Sequence, residues 1–301
     1  MPPKVIVVAG PTASGKTRLG IELAKLYNGE IVSADSMQIY RGMDIGTAKA
    51  TPKERAETAH HLIDVAEPCE SWSVSRYVEE ASKVCDALVE NGKMPVIVGG
   101  TGLYIDSLLS GRDFADTQED KALRSELSEE YDRVGGEKML EYLRSFDPER
   151  AEKLAAADKR RILRAIEIYR LTGTTITAHD AATRALPPRY DAAFIILSYK
   201  NRADLYARIE KRVDRMIALG LFDEVRELLE KGLSPSSTAM QAIGYKEAAE
   251  RIKISSRRYA KRQITWFGRR EDVLRILFDG TPDFEYARRL SCDFLARHGI
   301  S

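Results

Sequence analysis

The octapeptide Gly10-Pro11-Thr12-Ala13-Ser14-Gly15-Lys16-Thr17 constrains this chain more than any other stretch, because it fits G-x-x-x-x-G-K-[ST] in full. Its surroundings fit too. The β-branched run Val5 to Ala9, bounded by Pro3 and Gly10, reads as a buried strand. Thr17 to Tyr27, with apolar Leu19, Leu23, Ala24 and Leu26, reads as a helix. A strand that passes through glycines into a helix aims converging backbone N–H groups, and the partial positive charge of the helix N-terminus, at phosphate oxygens. Lys16 supplies a mobile cation for the terminal phosphate, and the Thr17 hydroxyl is a Mg²⁺ ligand type. The loop predicts a diphosphate or triphosphate ligand and does not distinguish between them. A glycine-rich turn with an incidental lysine accounts for the residues but not for the flanking strand and helix.

The rest of the chain alternates strand and helix patterns. Glu30 to Ala34 reads as a strand, Ser75 to Asn91 as a helix, Pro95 to Val98 as a strand ending in Gly99-Gly100-Thr101-Gly102, and Ala192 to Leu197 as a strand. Such alternation predicts an α/β fold with a mostly parallel sheet flanked by helices. From Asp113 to Pro187 no strand is evident. Charged helical patterns run over Asp120 to Val134, Lys138 to Ser145 and Arg160 to Leu171, and Leu186-Pro187-Pro188 breaks the segment. After Ala192 to Leu197 the pattern reads as helices to the C-terminus. The expected organisation is an α/β core over 1–112 and 188–301, interrupted by an all-helical insertion over 113–187, which 301 residues suffice to build.

Composition narrows the class. Hydrophobic residues at 44% and charged residues at 31% make an ordinary globular balance, and the apolar runs are of strand length, too short to span a membrane. Met1-Pro2-Pro3-Lys4 leads straight into the first strand with no room for a signal peptide, so a cytoplasmic location is expected. Cys69, Cys85 and Cys292 lack metal-ligand spacing and read as free thiols; His60 and His61 lack further ligands, so no His/Cys metal site is expected. The net charge of +1 leaves polyanion binding to local clusters. Lys159, Arg160, Arg161 and Arg164 form one. Arg257, Arg258, Lys261, Arg262, Arg269 and Arg270, interleaved with Tyr259, Trp266 and Phe267, form another. Both suit phosphate-backbone contact, although charge pattern alone favours a solvated helix face. Ile162, Leu163, Ile166 and Ile168 read as core, and Trp266 as packing.

In open α/β sheets ligands bind outside the carboxyl ends of the strands. The second strand ends Ser33-Ala34-Asp35-Ser36-Met37-Gln38, so Asp35 is expected at the same crevice as the loop. Thr101, after the third strand, offers a hydroxyl there. Spacing alone leaves Asp35 open as metal ligand, general base or cap, and Thr101 as a turn residue or a site residue.

Several stretches, in order from about Lys4 to Arg270, resemble the bacterial tRNA dimethylallyltransferases. They are the phosphate loop; Asp35 to Arg41 with Asp44 to Lys49; His60 to Asp64; Val98 to Tyr104; Asp158 to Glu167; Ala239 to Glu247; and Arg258 to Phe267. The resemblance implies a P-loop NTPase-like core and transfer of a dimethylallyl group from dimethylallyl diphosphate to N6 of the adenosine 3′-adjacent to the tRNA anticodon, with release of diphosphate. It implies Asp35 as general base, Thr101 beside the reacting groups and Arg212 as a catalytic arginine that contacts the diphosphate. Gly10, Thr12, Ala13, Ser14, Gly15, Lys16 and Thr17 would hold the diphosphate, with Mg²⁺ as cofactor on Thr17. It implies tRNA contacts, to the anticodon stem-loop, at Asp35, Ser36, Met37, Gln38, Thr101, Arg124, Lys159, Arg160, Arg161, Ile162, Leu163, Gln241, Gly244 and Lys246. No membrane and no obligate protein partner are implied. One position departs from the pattern: Gly268 follows Thr265-Trp266-Phe267 where the resemblance leads us to expect Arg, with Arg269 and Arg270 next. Two rival readings use the same loop: an isopentenyltransferase acting on free adenine nucleotides, and an ATP-dependent small-molecule kinase. A third is a non-catalytic, nucleotide-gated RNA-binding module, against which Asp35 and Thr101 at the crevice argue.

Overall fold

The structure, a computed structural model, describes residues 1–111, 120–234, 237–245 and 249–301. In chain order its elements are β1 (Lys4–Ala9), α1 (Lys16–Leu26), β2 (Gly29–Ala34), α2 (Pro52–Glu57), β3 (His60–His61), α3 (Val74–Glu90), β4 (Met94–Gly99) and α4 (Gly102–Leu109). There follow α5 (Lys121–Val134), α6 (Gly136–Arg144), α7 (Pro148–Glu152), α8 (Lys159–Thr172) and α9 (Ile176–Arg184). The last are β5 (Asp191–Tyr199), α10 (Arg202–Ala218), α11 (Leu221–Glu230), α12 (Ala249–Phe267), β6 (Leu274–Phe278) and α13 (Phe284–Arg297). Two compact units result: Met1–Leu109 with Arg189–Ser301, and Ser110–Pro188. The expected division between residues 112 and 113 falls outside the described residues, and the one between 187 and 188 lies one residue from the observed boundary.

The larger unit is built on a parallel sheet in the order β3-β2-β4-β1-β5-β6. Lys4-Val5-Ile6-Val7-Val8-Ala9 is apolar without alternation because β1 is a central strand with both faces covered, and Val5 to Ala9 are all fully buried. Helix α1 packs on β4, α3 on β2 and β4, α10 on β5, and α13 on β5 and β6. Ala9 and Ala34 both register with Gly99, so β1, β4 and β2 end at one level. The three segments that leave those ends are the phosphate loop, Asp35 to Gln38, and Gly100 to Thr101.

The expected run of helices to the C-terminus is corrected by β6, which pairs in parallel with the outer side of β5. As an edge strand it buries Ile276 and Phe278 while Arg275 and Leu277 are exposed, and five residues are too few for that alternation to stand out beside a helical pattern. The two-residue edge strand β3, which pairs with β2, carries no periodicity at all.

The smaller unit, Ser110–Pro188, contains α5 to α9 and no strand among its described residues. Its core joins Leu127, Met139, Leu143, Ile162, Leu163 and Ile166. Ile168, expected in the core, is half-buried. Among the described residues no helix is long and apolar enough to cross a membrane.

Candidate active site

The loop between β1 and α1 has the backbone its glycines permit. Gly10 has φ 146°, and a Cβ there would lie 2.2 Å from the Leu197 carbonyl oxygen of β5. Gly15 has φ 89° and turns the chain into α1. Between them, Ala13 also takes a left-handed φ of 64°, and its carbonyl accepts a hydrogen bond from Arg208 Nε at 3.2 Å. The Ser14 N–H donates to the Pro11 carbonyl at 3.3 Å. Lys16 Nζ folds back over the loop to donate to the same carbonyl at 2.8 Å.

Lys16, Thr17, Thr12, Asp35, Arg212 and Tyr259 line one cavity of about 610 Å³ of empty space. Burial, helped by the Arg212 charge and opposed by Asp35, pushes the Lys16 ammonium down to about 7. Desolvation also lowers Arg212, with Asp35 again opposing. Two half-buried cations thus lie within electrostatic reach of a single carboxylate, a charge arrangement that favours an anion. Among the described residues no group of three or more His, Cys, Asp or Glu is placed to hold a metal. An ion at Thr17 therefore fits only if it takes its other ligands from water or bound phosphate, which is the chemistry of this loop.

Asp35 is oriented locally. Its Oδ1 accepts the Met37 N–H at 2.9 Å, closing a side-chain turn over Ser36. Thr101 Oγ1 accepts the Ser36 N–H at 3.1 Å, so the threonine ties the start of α4 to the Asp35 turn. Burial raises the Tyr259 phenol, and the negative charge of Asp35 adds to the shift; hydrogen bonds with Thr101 and Gln263 oppose it. Asp35, Thr12, Arg212 and Tyr259 also line a second cavity of about 900 Å³. Its walls are more apolar, from Met37, Ile209, Val213, Met216, Ile243 and Ile252, with Ser36, Gln241 and Arg262 adding polar groups.

Gln263 joins this site without having been singled out from the sequence. It is 5% exposed; its Oε1 accepts the Thr12 N–H at 2.8 Å and its Nε2 donates to the Gly100 carbonyl at 2.9 Å. One side chain therefore fixes the phosphate loop against the end of β4. A polar residue within the buried stripe Ala260, Gln263, Phe267 of α12 was the available signal.

The other expected contacts are scattered. Gln38 lines the first cavity, and its Nε2 donates to the Thr47 carbonyl at 3.2 Å. Gly244 takes φ 105° near Leu221, and Lys246 lies outside the described residues. In the smaller unit, Ile162 and Leu163 have buried side chains that belong to its core. Arg124 forms bonds of 3.1 and 3.0 Å to the carboxylate of buried Glu167, and Lys159 pairs with Asp132 at 2.6 Å. Arg160 and Arg161 are exposed. Gly268 closes α12 by donating to the Ile264 carbonyl at 2.8 Å, and Arg270 pairs with Asp106 and lies 4.1 Å over the Phe194 ring. Trp266 donates from its ring nitrogen to Asp106 at 2.8 Å while its ring lies against Gly102.

Residues 38–271 match the family described as IPP transferase, and residues 3–70 the family described as isopentenyl transferase. A tRNA dimethylallyltransferase of Acetivibrio thermocellus is 44% identical over 309 residues, which cover 98% of this chain and 98% of that protein. One from Caldanaerobacter subterraneus subsp. tengcongensis is 42% identical over 307 residues, covering 97% and 98%. Among solved structures, the full-length tRNA isopentenylpyrophosphate transferase of Bacillus halodurans superposes with a TM-score of 0.71 at 38% identity, covering 98% of this chain and 96% of that one. A eukaryotic dimethylallyltransferase acting on tRNA superposes with a TM-score of 0.81 at 28% identity, covering 98% of this chain and 80% of that one. With relatives above 40% identical along nearly their whole length, and a site that joins a phosphate loop to a carboxylate, the chain belongs to the IPP transferase family of tRNA dimethylallyltransferases, which are prenyl-transferring enzymes.

Proposed function

We propose that this chain transfers a dimethylallyl group from dimethylallyl diphosphate to N6 of the adenosine 3′-adjacent to the anticodon of tRNA, in the cytoplasm. The observation that carries the reading is the placement of Asp35 and Arg212 on both cavities, one cationic and loop-lined, the other more apolar. The diphosphate takes the first, against the loop amides, Lys16 and Arg212. The allyl carbons and the acceptor adenine take the second.

In the transfer the allylic C1–O bond breaks and its electron pair leaves on the diphosphate. Lys16, Arg212 and the loop amides stabilise that charge as it develops. A C1–N6 bond forms, and the proton lost from N6 passes to the Asp35 carboxylate, which the Met37 N–H holds in place. Mg²⁺, held by the Thr17 hydroxyl, would neutralise further charge on the diphosphate. Thr101 keeps the Asp35 turn in register with α4. An adenine in an anticodon loop is unstacked cheaply, as a base must be to enter such a cavity.

The test is transfer of labelled dimethylallyl, with Mg²⁺, to an anticodon stem-loop bearing adenosine 3′ of the anticodon, with AMP in a parallel reaction. Label on the stem-loop alone is the expected result. Label on AMP makes the chain a nucleotide-level transferase, and no transfer to either sinks the proposal.

A further inference from the structure

Two of the family-like stretches, Asp44 to Lys49 and Ala239 to Glu247, carry out no chemical step in the transfer just described. The fold brings Asp44, Ile45 and Gly46 of the first and Tyr245 of the second together on Glu224 of α11. Glu224 Oε2 accepts the backbone N–H groups of Asp44 and Ile45, each at 2.7 Å, and Oε1 accepts that of Gly46 at 3.0 Å. The Tyr245 hydroxyl donates to Oε1 as well. Three successive N–H groups converging on one carboxylate form an anion-binding nest, here filled by the protein's own side chain. Tyr245 is 3% exposed and its ring packs on Gly46 so closely that a Cβ there would lie 2.4 Å from Cε2.

The clamped segment reaches the site. Gly46 and Thr47 line the second cavity beside Ser36, Met37 and Gln241. Gln38 Nε2 donates to the carbonyls of Thr47 and Ala48 at 3.2 and 3.4 Å, which couples the segment to the Asp35 turn. Lys49, 7% exposed, donates to Asp44 Oδ1 at 2.7 Å and to Asp64 Oδ1 at 2.5 Å, which anchors the far end. Phosphate-loop residues other than Thr12 are absent from this cavity's lining.

We infer that Glu224 is a positioning residue for the acceptor: by holding the 44–47 backbone, with Tyr245 as its second partner, it sets the wall against which the RNA base is placed. The inference rests on the transfer reading for the identity of the acceptor; the clamp itself does not. A glutamine at 224 puts an amide donor against at least one of the donors that now meet a carboxylate, so Glu224→Gln breaks the nest with little change of shape.

The experiment measures, for wild type, Glu224→Gln and Tyr245→Phe, the KM for the stem-loop, the KM for dimethylallyl diphosphate, and hydrogen–deuterium exchange over 43–48 and 10–17. In Glu224→Gln the KM for RNA rises roughly tenfold or more while the KM for the diphosphate stays within about twofold, the signature of weakened binding on the acceptor side alone. Exchange quickens over 43–48 and is unchanged over 10–17. Tyr245→Phe, which removes one of the four bonds, shifts the same quantities in the same direction by less, and decides the matter if Glu224→Gln does not fold. Equal shifts in both KM values, or unaltered exchange over 43–48, overturn the inference. A wild type that modifies no RNA defeats the functional reading instead, and the exchange data still decide the clamp.

Discussion

Asp35 has one oxygen committed to the Met37 N–H and sits on both cavities, so it combines a fixed orientation with access to the acceptor. Asp35→Asn keeps the shape and removes the base. Turnover is expected to fall about 10²- to 10⁴-fold with RNA affinity nearly intact; single-turnover transfer and RNA-binding titrations check it, and normal turnover would remove Asp35 from the base role. Lys16 makes a prediction about pH. Its ammonium is disfavoured in the empty site down to about 7, and a bound diphosphate favours it. Below that value the cation is already present. Above it, binding must take up a proton, so the KM for dimethylallyl diphosphate rises with pH by up to about tenfold per unit. Lys16→Arg, permanently charged, should flatten that dependence whatever its absolute KM, and KM profiles across neutral pH read both. The same burial acts on stability: with the unfolded lysine near its ordinary 10.5, the Lys16 contribution makes the empty protein more stable as pH rises from about 7 toward 10.5.

At the scale of elements, α12 organises the site although it follows the phosphate loop by more than two hundred residues. Gln263 satisfies one backbone donor of the loop and one backbone acceptor after β4, and Tyr259, one turn earlier, meets Thr101. Replacing Gln263 with leucine leaves both backbone groups unmet, at a cost of about 1–3 kcal/mol for the buried Gly100 carbonyl and less for the half-buried Thr12 amide at the cavity wall. Urea unfolding of Gln263→Leu should show that loss, together with weaker diphosphate binding, because the Thr12 amide no longer has a fixed direction. A variant as stable as wild type would mean that the two backbone groups find other partners. Helix α1 shows the complementary logic: Gly20 packs against Val98 of β4, which seats the helix start at the end of the sheet.

The whole molecule divides its labour between two compact units, each with its own core. The basic stretch that opens α8 belongs to the smaller one. There Lys159 is held by Asp132 and lies 5.1 Å over the Tyr131 ring, whereas Arg160 is exposed. If the stretch meets RNA phosphates, Lys159→Ala with Arg160→Ala weakens tRNA binding and lowers the salt slope by about 0.7–0.9 for each phosphate no longer neutralised, with Arg160→Ala the larger single effect. An unchanged slope returns the stretch to a solvated helix face. What the sequence determined by itself follows from local physics. The loop from Gly10 to Thr17, the buried strands on either side of Gly99 and Ala34, and the helical character of the insertion are all written in residue type and period. The placement of Asp35 and Thr101 follows from them, because strands in a parallel sheet end on one side. The edge strand β6 is not legible in the sequence, because five residues of which only Ile276 and Phe278 are buried carry too little pattern. Ile162 and Leu163 cannot be both core and RNA contact through their side chains, and packing decided for the core. Gln263, Glu224 and Tyr245 are decided by the tertiary structure alone: Gln263 and Glu224 act on backbone groups distant in the chain, 251 positions away in the bond from Gln263 to Thr12, Tyr245 acts on the Glu224 carboxylate, and no local period records such partners.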